Sequence, residues 1–208
     1  TNAFDRITDV DADLNAGNKI GGVSLRVKAD LGAGTLTSVT AWRFWDWLPS
    51  NDRDFLGLPI TTKSQNPSQQ NQYTQELRYA ASGERVDFTL GLFGFKQTVR
   101  TQGVQQQGSA ASKWLIAPSS ALSNDPSVLN GLTAANDIAL DNTSAALFGQ
   151  LSWKVTDALT IPPGIRLNYD KKEGFYQRRV TDGAGVEISC FNPAPAVGTI
   201  RAAQCGVY

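Results

Sequence analysis

Histidine is absent from this chain, and its absence removes Ser-His and Cys-His nucleophile activation, His-containing zinc centres and the commonest general base near neutral pH. An enzyme built here would have to work with carboxylates or a Ser-Lys pair. Methionine is absent as well, the initiator included, so the chain reads as a mature or excised piece. Net charge is absent: 19 basic side chains balance 19 acidic ones, which gives no electrostatic reason to expect nucleic acid or an anionic lipid surface as partner. No apolar run approaches the ~20 residues of a membrane-spanning helix. Thr1-Asn-Ala-Phe-Asp-Arg6 lacks the basic and then apolar pattern of a signal peptide. Cysteine is scarce. Cys190 and Cys205 both lie in the C-terminal segment, and they read as a loop-closing disulfide of an oxidising compartment, with two free thiols as the alternative. No phosphate-cradling Gly-Lys-Ser/Thr run, Cys-x-x-Cys or Gly-x-Ser-x-Gly elbow occurs. The carboxylates show no spacing that marks an acid/base pair for glycoside hydrolysis. No catalytic residue and no cofactor is therefore expected.

What is present is alternation. At 208 residues the chain is long enough for one domain with a real core, and its pattern is that of strands with one apolar and one polar face, which a membrane barrel or a soluble sandwich would both accept. Val23, Leu25, Val27, Ala29 and Leu31 share one parity, while Ser24, Arg26, Lys28 and Asp30 take the other. Gly32-Ala-Gly34 turns the chain, and Thr35 to Trp47 returns. In that return strand Trp45 and Trp47 share a parity that Trp42 and Phe44 do not, which a β-bulge would reconcile. A second hairpin sets Tyr73, Leu77 and Tyr79 against Val86, Phe88, Leu90 and Leu92. A third sets Leu147, Leu151 and Trp153 against Leu159, Ile161, Ile165, Leu167 and Tyr169, with a break expected at Pro162-Pro163. The hairpins cover about 22–47, 72–99 and 143–170. Long polar connections, Leu48–Asn71, Thr101–Asn142 and Lys171–Tyr208, separate and follow them. Asp125-Pro126 predicts a short helix in the second, and Thr181 to Gly185 a small hairpin in the third.

Short turns alternating with long loops fit a transmembrane β-barrel of up-and-down antiparallel strands, here about six, which are too few to close a barrel alone. At a climb of about 2.5 Å per residue, Trp42, Trp45 and Trp47 stand roughly 20–30 Å above the Gly32-Ala-Gly34 turn, the height of a membrane interface. Phe93, Phe95 and Tyr169 reach comparable heights above their own turns. These six aromatics are expected to form an interfacial girdle, with Trp42 and Phe44 facing inward as the alternative, since an indole wants an apolar ring bed and a polar neighbour for its N–H. The alternative is a secreted or periplasmic β-sandwich that stacks carbohydrate on Trp42, Trp45 or Trp47; a His-free carboxylate hydrolase is a weaker rival.

Leu36-Thr-Ser-Val-Thr-Ala-Trp-Arg-Phe-Trp-Asp-Trp47, followed by Ser50-Asn-Asp-Arg-Asp54, resembles a strand-and-loop signature of TonB-dependent outer-membrane receptors. Gln75-Glu-Leu-Arg-Tyr79, Leu90-Gly-Leu-Phe93, Ala146-Leu-Phe-Gly-Gln-Leu-Ser152 and Pro163-Gly-Ile-Arg-Leu-Asn-Tyr-Asp-Lys-Lys-Glu-Gly174 continue the likeness in the family's order. The resemblance implies a section of a 22-stranded barrel in the outer membrane of a Gram-negative bacterium. It implies lipid, a plug domain and TonB as partners of the intact receptor, and uptake of a small-molecule ligand such as a metal chelate, a ferric siderophore among them. No plug and no TonB box are found in this stretch. Asp52, Arg53 and Asp54 in a loop and Arg78 on the wet face are the expected ligand contacts, with pairing inside the loop as the plainer account. Asp9-Val-Asp-Ala-Asp-Leu-Asn15 opens like a calcium loop, but Leu14 stands at the Gly position and Ile20 at the bidentate Glu position. It reads as a solvated acidic stretch, and no metal ligand is assigned.

Overall fold

The computed structural model describes residues 2, 4, 5, 8–191 and 193–208, and its framework is one antiparallel sheet. Strand β1 (Asn15–Asp30) pairs with β2 (Thr35–Ser50) from Asn15↔Ser50 to Asp30↔Thr35 without a slip. The bulge that would have put all three tryptophans on one side does not form. Next to β2 come β3 (Thr61–Gln65) and β4 (Ser68–Ser82), both of which also pair with β5 (Val86–Gln107). Then follow β6 (Thr133–Thr156), and against it β7 (Leu159–Ile161) and β8 (Gly164–Thr181).

Two of these divisions are proline effects rather than changes of direction. β3 and β4 keep the same register against β2 and β5 across Asn66-Pro67, where Gln102 N still donates to the Pro67 carbonyl at 2.9 Å. β7 and β8 likewise keep one register against β6 across the expected break at Pro162-Pro163, bridged by Leu151 N to the Pro163 carbonyl at 2.9 Å. A proline costs its own donor while its carbonyl still accepts. Among the described residues the sheet therefore has six long strand positions, and β1 and β8 each pair on one side only.

The strands run further into the polar connections than alternation shows. Ser64 to Asn71 and Gln105 to Gln107 lie largely in ladders, so the loops shrink to 51–60, 108–132 and 182–208. Where both faces of a strand carry polar side chains, as in Ser64–Asn71 and Gln105–Gln107, no period of two appears and the ladder leaves no hydropathy trace.

One face of the sheet carries the apolar set: Val23, Leu25, Leu77, Leu90, Leu92, Leu147, Ile165 and Leu167. These side chains are bare, with Val23 65%, Leu25 63% and Ile165 69% exposed. A soluble protein does not tolerate such a continuous surface, and among the described residues no second layer covers it. This overturns the sandwich reading. The band on β5 runs from Val86 to Gly94, about 20–25 Å at the climb given above, and then gives way to Lys96 and Arg100. Within the band Gln75 satisfies two hydroxyls across the strands, accepting from Thr40 Oγ1 and donating to Ser38 Oγ at 2.9 Å. Polar groups so paired are tolerable in hydrocarbon.

The well-packed core lies where loop residues meet the first residues of β6 and the last of β8. Ala111, Val128, Leu129, Leu132, Ala134, Val180 and Ile188 form one buried cluster at the loop end. Helix α1 (Ala111–Leu115), a 3-10 turn at Pro126–Val128 with Asp125 accepting from Ser127 N, and helix α2 (Ile200–Gly206) surround it. The Asp125-Pro126 expectation is thus met by a single tight turn. The small hairpin after Thr181 closes through Asp182 N to the Val186 carbonyl, and Cys190 is joined to Cys205.

Candidate functional site

The face opposite the apolar band is wet. It presents Ser24, Arg26, Lys28, Arg43, Glu76, Arg78, Asn168 and Arg166 in register across the strands. Arg78 sits toward the short-turn end beside Glu76, with Nη1 3.8 Å from Oε1, a loose and solvent-screened pair. Arg166 spreads over the Phe148 and Phe93 rings at 5.3 and 5.8 Å and donates from Nε to Asn168 Oδ1 at 2.7 Å.

The six expected girdle aromatics divide between the two faces. Trp42 and Tyr169 stand on the apolar face with Phe44 and Tyr73, and Trp42 Nε1 donates to Asn71 Oδ1 at 3.3 Å. Trp45, Trp47, Phe93 and Phe95 stand on the wet face. Trp45 stacks on Trp47 at 5.8 Å between centroids and donates to Asn18 Oδ1 at 2.6 Å.

At the loop end the segments after β2, β5 and β8 close into one cap. Gly108 N donates to the Ile60 carbonyl at 2.8 Å, and a Cβ on Gly108 would stand 2.2 Å from the Pro59 carbonyl oxygen, so the approach needs glycine. Thr61 Oγ1 donates to Gln107 Oε1 at 3.2 Å, and Gln107 Nε2 donates to Tyr208 Oη at 3.3 Å. The Tyr208 hydroxyl faces the carbonyls of Gln105 and Leu132 at 2.9 and 3.1 Å. Burial pushes the Tyr208 phenol above its ordinary pKa, with Gln107 opposing in part. Arg53, exposed at the rim, donates from Nη1 to Gln105 Oε1 at 2.9 Å. Gln105, Gln107 and Tyr208 carry no motif and are invisible as site residues in the sequence.

Asp52, Arg53 and Asp54 therefore lie together, whereas Arg78 is ten residues down β4 from Ser68, roughly 33 Å along the strand. Asp52 and Asp54 instead meet Asp11. One carboxylate oxygen from each of the three lies within 4.8 Å of the others. The meeting follows from the hairpin: continuing the β1–β2 register past Asn15↔Ser50 sets Asp13 opposite Asp52 and Asp11 opposite Asp54. Asp54 folds its loop, accepting from Leu56 N at 3.2 Å and Thr61 N at 2.8 Å. Asp52 accepts from Phe55 N at 3.3 Å, and Phe55 takes a left-handed φ of 58° at the bend. Desolvation by the adjoining loop and then the neighbouring Asp54 and Asp52 carboxylates push the exposed Asp11 carboxyl above its ordinary value.

Residues 2–198 match the family described as TonB dependent receptor-like, beta-barrel. The chain belongs to the TonB-dependent receptor β-barrel family. Its place is the outer membrane of a Gram-negative bacterium, and the family's members are transporters, not enzymes. The crystal structure of the ferric yersiniabactin uptake receptor FyuA from Yersinia pestis is similar over 82% of this chain, with a TM-score of 0.55 and 18% identity. That likeness shows the fold. The chain spans 23% of the FyuA chain. No curated protein sequence matches. In the receptor frame the bare apolar band faces lipid, the wet face lines the lumen, and the capped loops face outward.

Proposed function

We propose that the intact receptor imports a scarce nutrient such as a ferric siderophore, with energy passed through TonB to a plug held inside the barrel. This chain would supply part of the pore wall and part of the mouth. The observation that carries the reading is the division of one sheet into a bare apolar face and a charged face that leads away from a packed cap. The similar FyuA is named for ferric yersiniabactin uptake, which favours an iron chelate over a sugar or a vitamin. Arg53 is the contact of choice. It is exposed at the rim, its guanidinium is held by Gln105, and an anionic chelate would meet a pre-oriented fork of N–H donors. Arg78 and Arg166, further down the wet face, would meet the ligand or the plug later in transit.

The test is a titration of the full-length receptor in detergent with ferric chelates, cobalamin and oligosaccharides, read by tryptophan quenching. A ferric chelate should bind saturably, and Arg53→Ala should weaken an anionic chelate about tenfold, or about 1.4 kcal/mol, while leaving a neutral one unchanged. Saturable binding of a sugar or cobalamin alone would move the ligand class. Nutrient uptake that persists without TonB would end the transport proposal.

A further inference from the structure

We propose that Asp11, Asp52 and Asp54 form a divalent-cation site, with calcium as the fitting ion, that clamps the segment before β1 to the loop after β2. The spacing suits a shared ion: oxygens bound 2.3–2.6 Å from one calcium lie at most about 5 Å apart, and these three lie within 4.8 Å of one another. A second observation is independent of the clustering. Asp52 is only 2% exposed, and its Oδ2 is buried with no hydrogen-bond partner. A carboxylate in that state is costly to bury unless something positive meets it. Among the described residues no Lys or Arg makes an ion pair with any of the three carboxylates. Arg53, their immediate neighbour, is turned to Gln105 instead.

The donors select the ion. All are oxygens, with no histidine in the chain and both cysteines bonded to each other, so soft and borderline metals have nothing to hold. Both Asp54 oxygens accept one backbone N–H each and keep further lone pairs free. The donors come from two irregular segments rather than from a rigid octahedral cage, which favours calcium over magnesium. Asp9 adds charge from the side: a Cβ on Gly57 would stand 2.0 Å from Asp9 Oδ1, so this carboxylate leans on the same loop. The three-carboxylate set departs from a continuous calcium loop because its ligands come from both sides of the hairpin. The site does not depend on which nutrient the receptor carries.

Full-length receptor in detergent, stripped with chelator, is titrated with CaCl2 and with MgCl2 by calorimetry, beside Asp52→Asn and Asp54→Asn. The expected result is a calcium-binding event in the wild type that each variant weakens about tenfold or more, with magnesium weaker than calcium by a similar factor. Calcium should also slow tryptic cleavage after Arg53 in the wild type and not in Asp52→Asn. If Asp52→Asn fails to fold, Asp11→Asn gives the same readouts from an exposed position. Identical calcium isotherms in wild type and variants would overturn the site, and equal affinity for magnesium would overturn the ion.

Discussion

Glycine and phenylalanine meet across strands at two places, and there a single atom decides the packing. Gly91 lies opposite Phe148, and a Cβ on it would stand 2.1 Å from the ring's Cζ. Gly21 lies opposite Phe44 in the same way, at 2.6 Å from Cε1. A ring laid over a strand glycine covers backbone that would otherwise be bare. Gly91→Ala is expected to cost ~1–3 kcal/mol by overpacking, measured by refolding the barrel into bilayers under urea, and to displace Arg166 from its stack. An unchanged midpoint would show that Phe148 moves aside freely. Trp42 and Trp45 teach the same lesson about legibility. Their opposite parities are plain in the sequence, yet only the unslipped pairing to β1 assigns Trp42 to the greasy side with Val23.

At the scale of elements, strands and cap draw on different sources of stability. The strands rest on ladders and lipid, and the cap on its buried cluster, its Tyr208 contacts and the Cys190–Cys205 bond. Closing a loop of about 15 residues stabilises by about 3 kcal/mol on the chain-entropy estimate. Cys190→Ser with Cys205→Ser should therefore speed proteolysis within 182–208 while leaving heat-resistant barrel mobility in gels unchanged. Alkali should act on the same element. Because the Tyr208 phenol is raised in the folded state, its contribution is complete below the unfolded value of about 10 and is lost as pH rises through the higher folded value. Cap protection should fall in that window, and Tyr208→Phe should remove the pH dependence. Sequence reading found the strands because half-buried faces alternate. The strands run past their legible ends at Ser64–Asn71 and Gln105–Gln107, where polar side chains on both faces leave no alternation. The cap was not legible, since Ala111, Val180 and Ile188 come together only after the strands have set the distances between loops. Asp11 and Asp54 were legible in principle, by extending one hairpin register beyond its last paired residue.

At the scale of the whole molecule, solvent is assigned by face. Leu25→Asp with Val27→Asp places two carboxylates in the hydrocarbon side of β1 and should abolish membrane assembly of the parent barrel, checked by its absence from the outer-membrane fraction. Normal assembly would refute the lipid-facing assignment. The one-sided pairing of β1 and β8 carries a further consequence. Along either rim every second amide and carbonyl points away from the sheet, at positions flanked by hydrocarbon on one side. Oil offers those groups nothing, so each rim can settle only against another extended backbone of matching length. The two rims are thus docking templates read by peptide groups rather than side chains, indifferent to sequence and strict about direction and span.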